Sequence, residues 1–154
     1  VSAAGELYAL AERCEQAAAR DLELDEAIYS AIAVVRERDG YVWHEVDGQV
    51  RGANAFTRAY TASLDAAMTL VPEGKRLKVE TAANGANAVI WQYGPTVVWD
   101  ADARTPALAL CAAALRARAA SCDRNPTGQD REAGLGAEHE SAVGAAETPK
   151  QDRP

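Results

Sequence analysis

The sequence predicts an α+β domain in which an antiparallel three-stranded meander is covered by helices. Three observations carry this. Apolar residues recur at three- and four-residue spacing through Leu7, Leu10 and Cys14, through Leu24 and Ile28, and through Leu108, Cys111 and Leu115, as amphipathic helices require. Lys75–Thr81 alternates apolar and polar, the period of a half-buried strand. Asn84-Gly85 and Gly94-Pro95 then punctuate β-rich runs at hairpin spacing. Strands joined by such short turns are antiparallel, and their apolar face must be covered by helices.

The first helix is expected from about Gly5 to Ala19, with Glu6, Glu12, Arg13 and Glu15 on its polar side. A second begins near Asp21 or Glu23, where acids suit the helix dipole. Its stripe of Leu24, Ile28, Ala31/Ile32 and Val35 carries it through Arg36 and Arg38 to a stop at Gly40. Tyr41–Val46 reads as a strand with Val42, His44 and Val46 on one face and Tyr41, Trp43 and Glu45 on the other. Asp47-Gly48 turns it into a short return strand, Gln49–Arg51. Thr61 or Ser63 can cap the next helix, whose stripe is Leu64, Ala67/Met68 and Val71 and which ends at Pro72-Glu73-Gly74. The meander follows as Lys75–Thr81, Ala86–Tyr93 and Thr96–Asp100, with Trp91 and Trp99 expected to anchor the core. Thr105-Pro106 opens a last helix that runs to about Ala120.

Composition divides the chain into a helix over 1–22, an α+β domain over 23–120 and a tail over 121–154. The tail has no Ile, Phe, Trp or Tyr, and only Leu135 and Val143 among the larger aliphatics. Such a segment cannot offset its ordering entropy, so it is expected to be disordered. The net charge of −7 disfavours affinity gained from phosphates, so no direct nucleic-acid binding is expected. No apolar run approaches the ~20 residues of a membrane span, and the alternating N-terminal segment lacks the form of a secretory signal. Cys14, Cys111 and Cys122 form no C-x-x-C pair, and the first two sit in apolar helical patterns as small hydrophobes. A reducing, cytoplasmic setting follows.

The string Thr61–Gly74 (TASLDAAMTLVPEG), followed after a hairpin by Thr105–Ala119 (TPALALCAAALRARA), is similar to the phage ABA sandwich domain family, small proteins of phages and prophages. LDEAI at Leu24–Ile28 resembles that family's N-terminal helix. The resemblance spans roughly Leu24 to Ala119, is concentrated in the two helical blocks, and is poor over residues 39–60. It implies an α–β–α layered sandwich and a phage source, and it implies no activity, cofactor or functional residue.

Candidate chemistry is sparse. His44-Glu45 begins H-E-x-x-H, but Gly48 stands where the second histidine belongs, and His139-Glu140 also lacks a partner. Asp100 and Asp102 form a D-x-D expected at the end of a strand and in the loop just before a helix N-terminus, where they could hold Mg²⁺ against a phosphate-bearing small molecule or nucleotide. No Gly-rich cradle accompanies them. No G-x-S-x-G is present, and Lys75–Lys78 reads as a solvated strand face. The large rings Tyr41, Trp43, Tyr93 and Trp99 could form an interaction surface if a sheet leaves them exposed. The expectation is a non-catalytic phage accessory protein without cofactor or metal, acting in the host cytoplasm on a phage or host protein. Two alternatives stand beside it: a metal-assisted enzyme using Asp100 and Asp102, and an acidic decoy of a host nucleic-acid-binding defence protein.

Overall fold

A computed structural model describes residues 2–51, 58–94 and 97–124. Helix α1 (Ala3–Gln16) starts before Gly5 because the Ser2 hydroxyl accepts a bond from the Gly5 N–H at 3.1 Å. It buries Ala4, Leu7, Leu10, Ala11 and Cys14. Helix α2 (Leu22–Ile32) is capped by Asp21, whose Oδ1 accepts from the Leu24 N–H at 3.0 Å.

The expected continuation of α2 to Arg38 is wrong. Val34–Arg38 is instead a strand, β1, paired antiparallel with β2 (Tyr41–Val46). Asp39 and Gly40 join them at φ 54° and 79°, so Gly40 turns a hairpin rather than stopping a helix. The same geometry recurs at Asp47 and Gly48 (φ 52° and 73°), which join β2 to β3 (Gln49–Arg51). Positive φ at both central residues is what a two-residue hairpin turn requires, and Asp-Gly tolerates it. With β-branched Val34 and Val35 entering it, the strand has the stronger claim on this segment.

Helix α3 (Leu64–Met68) is capped by Ser63, not Thr61. It is a single turn, so it buries Ala67 and the following Leu70 and leaves Leu64 and Met68 exposed. The second sheet is the expected meander, β4 (Arg76–Ala82), β5 (Gly85–Gln92) and β6 (Val97–Ala103), in the order β4-β5-β6. Leu77, Val79, Ala86, Ala88, Ile90, Trp99 and Ala101 share its inner face; Arg76, Lys78, Glu80, Asn87, Val89, Trp91, Val98, Asp100 and Asp102 share the outer one. Trp99 therefore belongs to the core, and Trp91, expected beside it, does not.

Helix α4 (Pro106–Arg124) opens on Thr105, whose Oγ1 accepts from the Leu108 N–H at 3.2 Å. Every residue from Ala107 to Leu115 is buried, followed by Ala117 and Ala119. A helix apolar all round lies at the centre of its domain. One side of α4 packs on the inner face of the meander, and α1 and α3 pack on its other sides. The second helical layer thus stands behind α4, and among the described residues no helix covers the outer face of the meander. Helix α1 shares this core instead of standing apart from it. Helix α4 also runs past Ala120 through Ser121 and Cys122, where the tail was expected to begin; residues 125–154, the rest of that tail, lie outside the described residues.

The turn from β4 to β5 has Ala83 and Asn84 at its tip, one residue earlier than Asn84-Gly85. Gly85 (φ 148°) is needed for a different reason: a Cβ there would lie 2.6 Å from the Ala103 carbonyl oxygen of β6. Gly85→Ala is expected to lower the unfolding free energy by about 2 kcal/mol or more, measured by denaturant melts, because backbone must move to admit the methyl. A neutral result would mean β6 is not held at this distance.

Candidate functional site

The sheet β1-β2-β3 stands largely outside the core. None of its residues belongs to the buried apolar cluster. Register places Val34, Arg36, Arg38, Tyr41, Trp43, Glu45 and Val50 on one face, and Val35, Glu37, Val42, His44 and Val46 on the other. On the first face Arg38 lies directly opposite Tyr41 and Arg36 directly opposite Trp43. Glu45 organises the inner end, accepting from Trp43 Nε1 and from Arg36 Nε, each at 3.2 Å. Tyr41 is 77% exposed, while Trp43 is half-buried against its neighbours. Two rings and two guanidinium groups therefore form one polar-aromatic face.

Two side-chain contacts among the described residues tie this sheet to the body. Tyr29 Oη and His44 Nδ1 lie 3.1 Å apart, with ring centroids at 5.8 Å. Arg118 of α4 grips the Asp47 turn bidentately at 2.9 and 2.6 Å, and its Nε donates to the Leu70 carbonyl at 2.6 Å. Planar guanidinium against carboxylate is the geometry that gives such a pair its strength. His44 is thus an anchoring residue at the joint between sheet and helix.

The other rings fall elsewhere. Tyr93 is exposed at the end of the meander, where the Arg76 guanidinium sits 4.4 Å from its ring centre. Trp99, expected as part of an interaction surface, is 8% exposed and faces the core; Lys75 approaches its ring at 5.3 Å. Of the four candidate rings, only Tyr41 and Trp43 share a face. The partners Arg36 and Arg38 were missed because the sequence reading placed them on a helix. The overlooked signal was Asp39-Gly40, the twin of Asp47-Gly48.

Asp100 and Asp102 lie within β6, not in a loop. Both point from the outer face of the meander, and Asp102 accepts from Asn87 Nδ2 at 3.0 Å. Among the described residues no three His, Cys, Asp or Glu side chains come together to hold a metal ion. Thr61, a candidate cap, serves a different contact. Its N–H donates to the buried Asp25 carboxylate at 2.7 Å, and its Oγ1 accepts from the Asp21 N–H at 3.0 Å. These bonds dock the segment before α3 onto the start of α2.

Cys14 and Cys111 are buried where α1 meets α4, and Cys122 is exposed on the last turns of α4. The Cys111 thiol donates to the Tyr60 carbonyl at 3.3 Å. Its pKa is pushed far up by its hydrogen bond with Cys14 first, and then by burial. It remains a neutral packing group and not a nucleophile.

No family model matches the chain, and no curated protein and no solved structure matches it either.

Two outcomes are expected. Asp47→Asn keeps a residue that tolerates the turn's positive φ but removes the charge gripped by Arg118. Amide exchange should accelerate across β2 and β3 while α1 and α4 stay protected, and uniform change would show that the pair does not tether the sheet. The second concerns pH. As pH rises past the ordinary thiol value of 9.0, Cys111 ionises in the unfolded chain and stays protonated in the folded one. The unfolded state then binds fewer protons, so the stability present below that pH is lost with a slope of about 1.4 kcal/mol per pH unit. Comparing alkaline melts of the native chain with Cys111→Ala should remove that slope, and equal slopes would refute the assignment.

Proposed function

We propose that this chain is a non-catalytic phage or prophage accessory protein that acts in the host cytoplasm by binding another protein through the Tyr41–Trp43 face of β1-β2-β3. The observation that carries the reading is a sheet held outside the core with large apolar side chains exposed on both faces: Val34, Tyr41 and Val50 on one, Val35 and Val42 on the other. A small sheet with no apolar face covered is marginal by itself in water. A partner that covers the rings would supply the missing burial. Trp, Tyr and Arg are the residue types that concentrate binding energy at protein interfaces, and here they lie side by side. The acidic balance of the chain argues for a protein partner over nucleic acid. The phage setting rests on the resemblance of Thr61–Gly74 and Thr105–Ala119 to the ABA sandwich domain. Nothing in the placement of Asp100 and Asp102 favours the enzyme alternative.

The test is affinity capture of the full chain from infected or lysogenic host cells, with the captured protein then purified and titrated directly. Tyr41→Ala with Trp43→Ala should weaken that binding by about tenfold or more, because each ring truncated at a hot spot costs over ~1 kcal/mol. Thermal unfolding should change little. Undiminished binding by the double variant would overturn the proposal, as would a capture lost on nuclease treatment.

A further inference from the structure

The two edges of the meander are finished differently. Ala82 and Gly85 flank the two-residue connection between β4 and β5 and face each other across it. In an antiparallel ladder such a flanking pair is hydrogen-bonded, and the bonding direction alternates along each strand. Counting back from Ala82, the backbone groups of Glu80, Lys78 and Arg76 point to β5, and those of Thr81, Val79 and Leu77 point off the outer edge. The same count carried across β5 aims the Asp100 carbonyl off the far edge of β6. There Arg116 of α4 donates to it at 2.6 Å while also holding Glu15 of α1 bidentately at 2.8 and 2.7 Å. The middle of the β6 edge is therefore held by α4. Among the described residues no backbone group bonds to the outward side of Leu77, Val79 or Thr81.

The open edge, Arg-Leu-Lys-Val-Glu-Thr-Ala over Arg76–Ala82, contains no proline and no bulge, two of the usual defences of a free strand, and is guarded by charge alone. Its charges are arranged to meet their own image. Placing a second copy antiparallel about a two-fold axis at Val79 sets Val79 against Val79, Leu77 against Thr81, and Lys78 against Glu80, the last pair occurring twice. Each Lys78 already contacts its own Glu80 at 2.7 Å, so the four side chains form a ring of alternating sign. Centring the axis on Lys78 opposes two ammonium groups, and centring it on Glu80 opposes two carboxylates. Like charges directly opposite one another are destabilising, so of these three centres Val79 is the one that pairs unlike charges without opposing like ones.

We propose that β4 is a self-association edge through which two copies of this chain join their meanders into one continuous six-stranded antiparallel sheet. The contact is isologous, and its backbone bonds form between Leu77, Val79 and Thr81 of one copy and Thr81, Val79 and Leu77 of the other. It uses neither face of β1-β2-β3 and stands independently of the partner proposed above.

Sedimentation velocity of the full chain across a concentration series should show a monomer–dimer equilibrium. Amide exchange at Leu77, Val79 and Thr81 should slow as the dimer fills. Thr81→Pro removes an N–H that points away from β5, so the fold should persist by circular dichroism while the dimer is lost. Lys78→Glu and Glu80→Lys should each weaken dimerisation by about tenfold or more, since two attractive cross-strand pairs become repulsive. Mixing those two variants should restore a heterodimer, because every Lys then faces a Glu again. A chain that is monomeric throughout would overturn the proposal. So would a dimer that survives Thr81→Pro and both charge variants, or one that appears only after deletion of residues 125–154, which would assign the edge to the chain's own tail.

Discussion

The structure depends on the burial of α4 on every side. Its run from Ala107 to Leu115 is built chiefly of alanine and leucine, with Cys111 among them. Alanine carries little side chain, so a helix rich in it lets neighbouring backbones come close. Here α1 and α3 approach from some directions and the inner face of the meander from another. That inner face is correspondingly small, with Ala86, Ala88 and Ala101 turned toward the helix around Ile90 and Trp99. Close packing of small groups gains dispersion contacts.

Polar groups near this core are spent on holding pieces together. Arg116 joins α4 to α1 and to the rim of β6, and Arg118 joins it to Leu70 and to the Asp47 turn. Asp25 receives the Thr61 N–H, and Asp21 caps α2. Of these only the Thr61–Asp25 bond is fully buried, and it satisfies an N–H whose burial without a partner would cost ~1–3 kcal/mol. Cys14 and Cys111 complete the pattern as buried thiols in the α1–α4 contact.

Function is accordingly sought outside the core. The β1-β2-β3 sheet hangs from the body through Tyr29–His44 and Arg118–Asp47 and displays Tyr41 and Trp43 beside two arginines. The edge of β4 presents backbone groups that no described residue pairs, beside the Lys78–Glu80 ion pair. One surface offers side chains and the other offers main chain, so the two can act without competing.

Helix caps, turns and strand alternation are local and were largely legible, with Ser63 one of two candidate caps and the Asp39-Gly40 turn missed. Asp21, Ser63 and Thr105 cap the helices that follow them, Asp47-Gly48 turns a hairpin, and Leu77 and Val79 face inward. The extent of α2 was not, because Val34–Arg38 satisfies a helical stripe as well as a strand until β2 is there to pair with it. The separation of Trp99 from Trp91 was equally hidden. Alternation assigns residues to opposite faces, but only α4 seated against one of them decides which face is the interior. Sequence by itself thus determined every element but β1, and their order, since caps and turns act within a few residues. Which faces and edges stay open was decided by tertiary structure, because burial is settled between segments far apart in the chain.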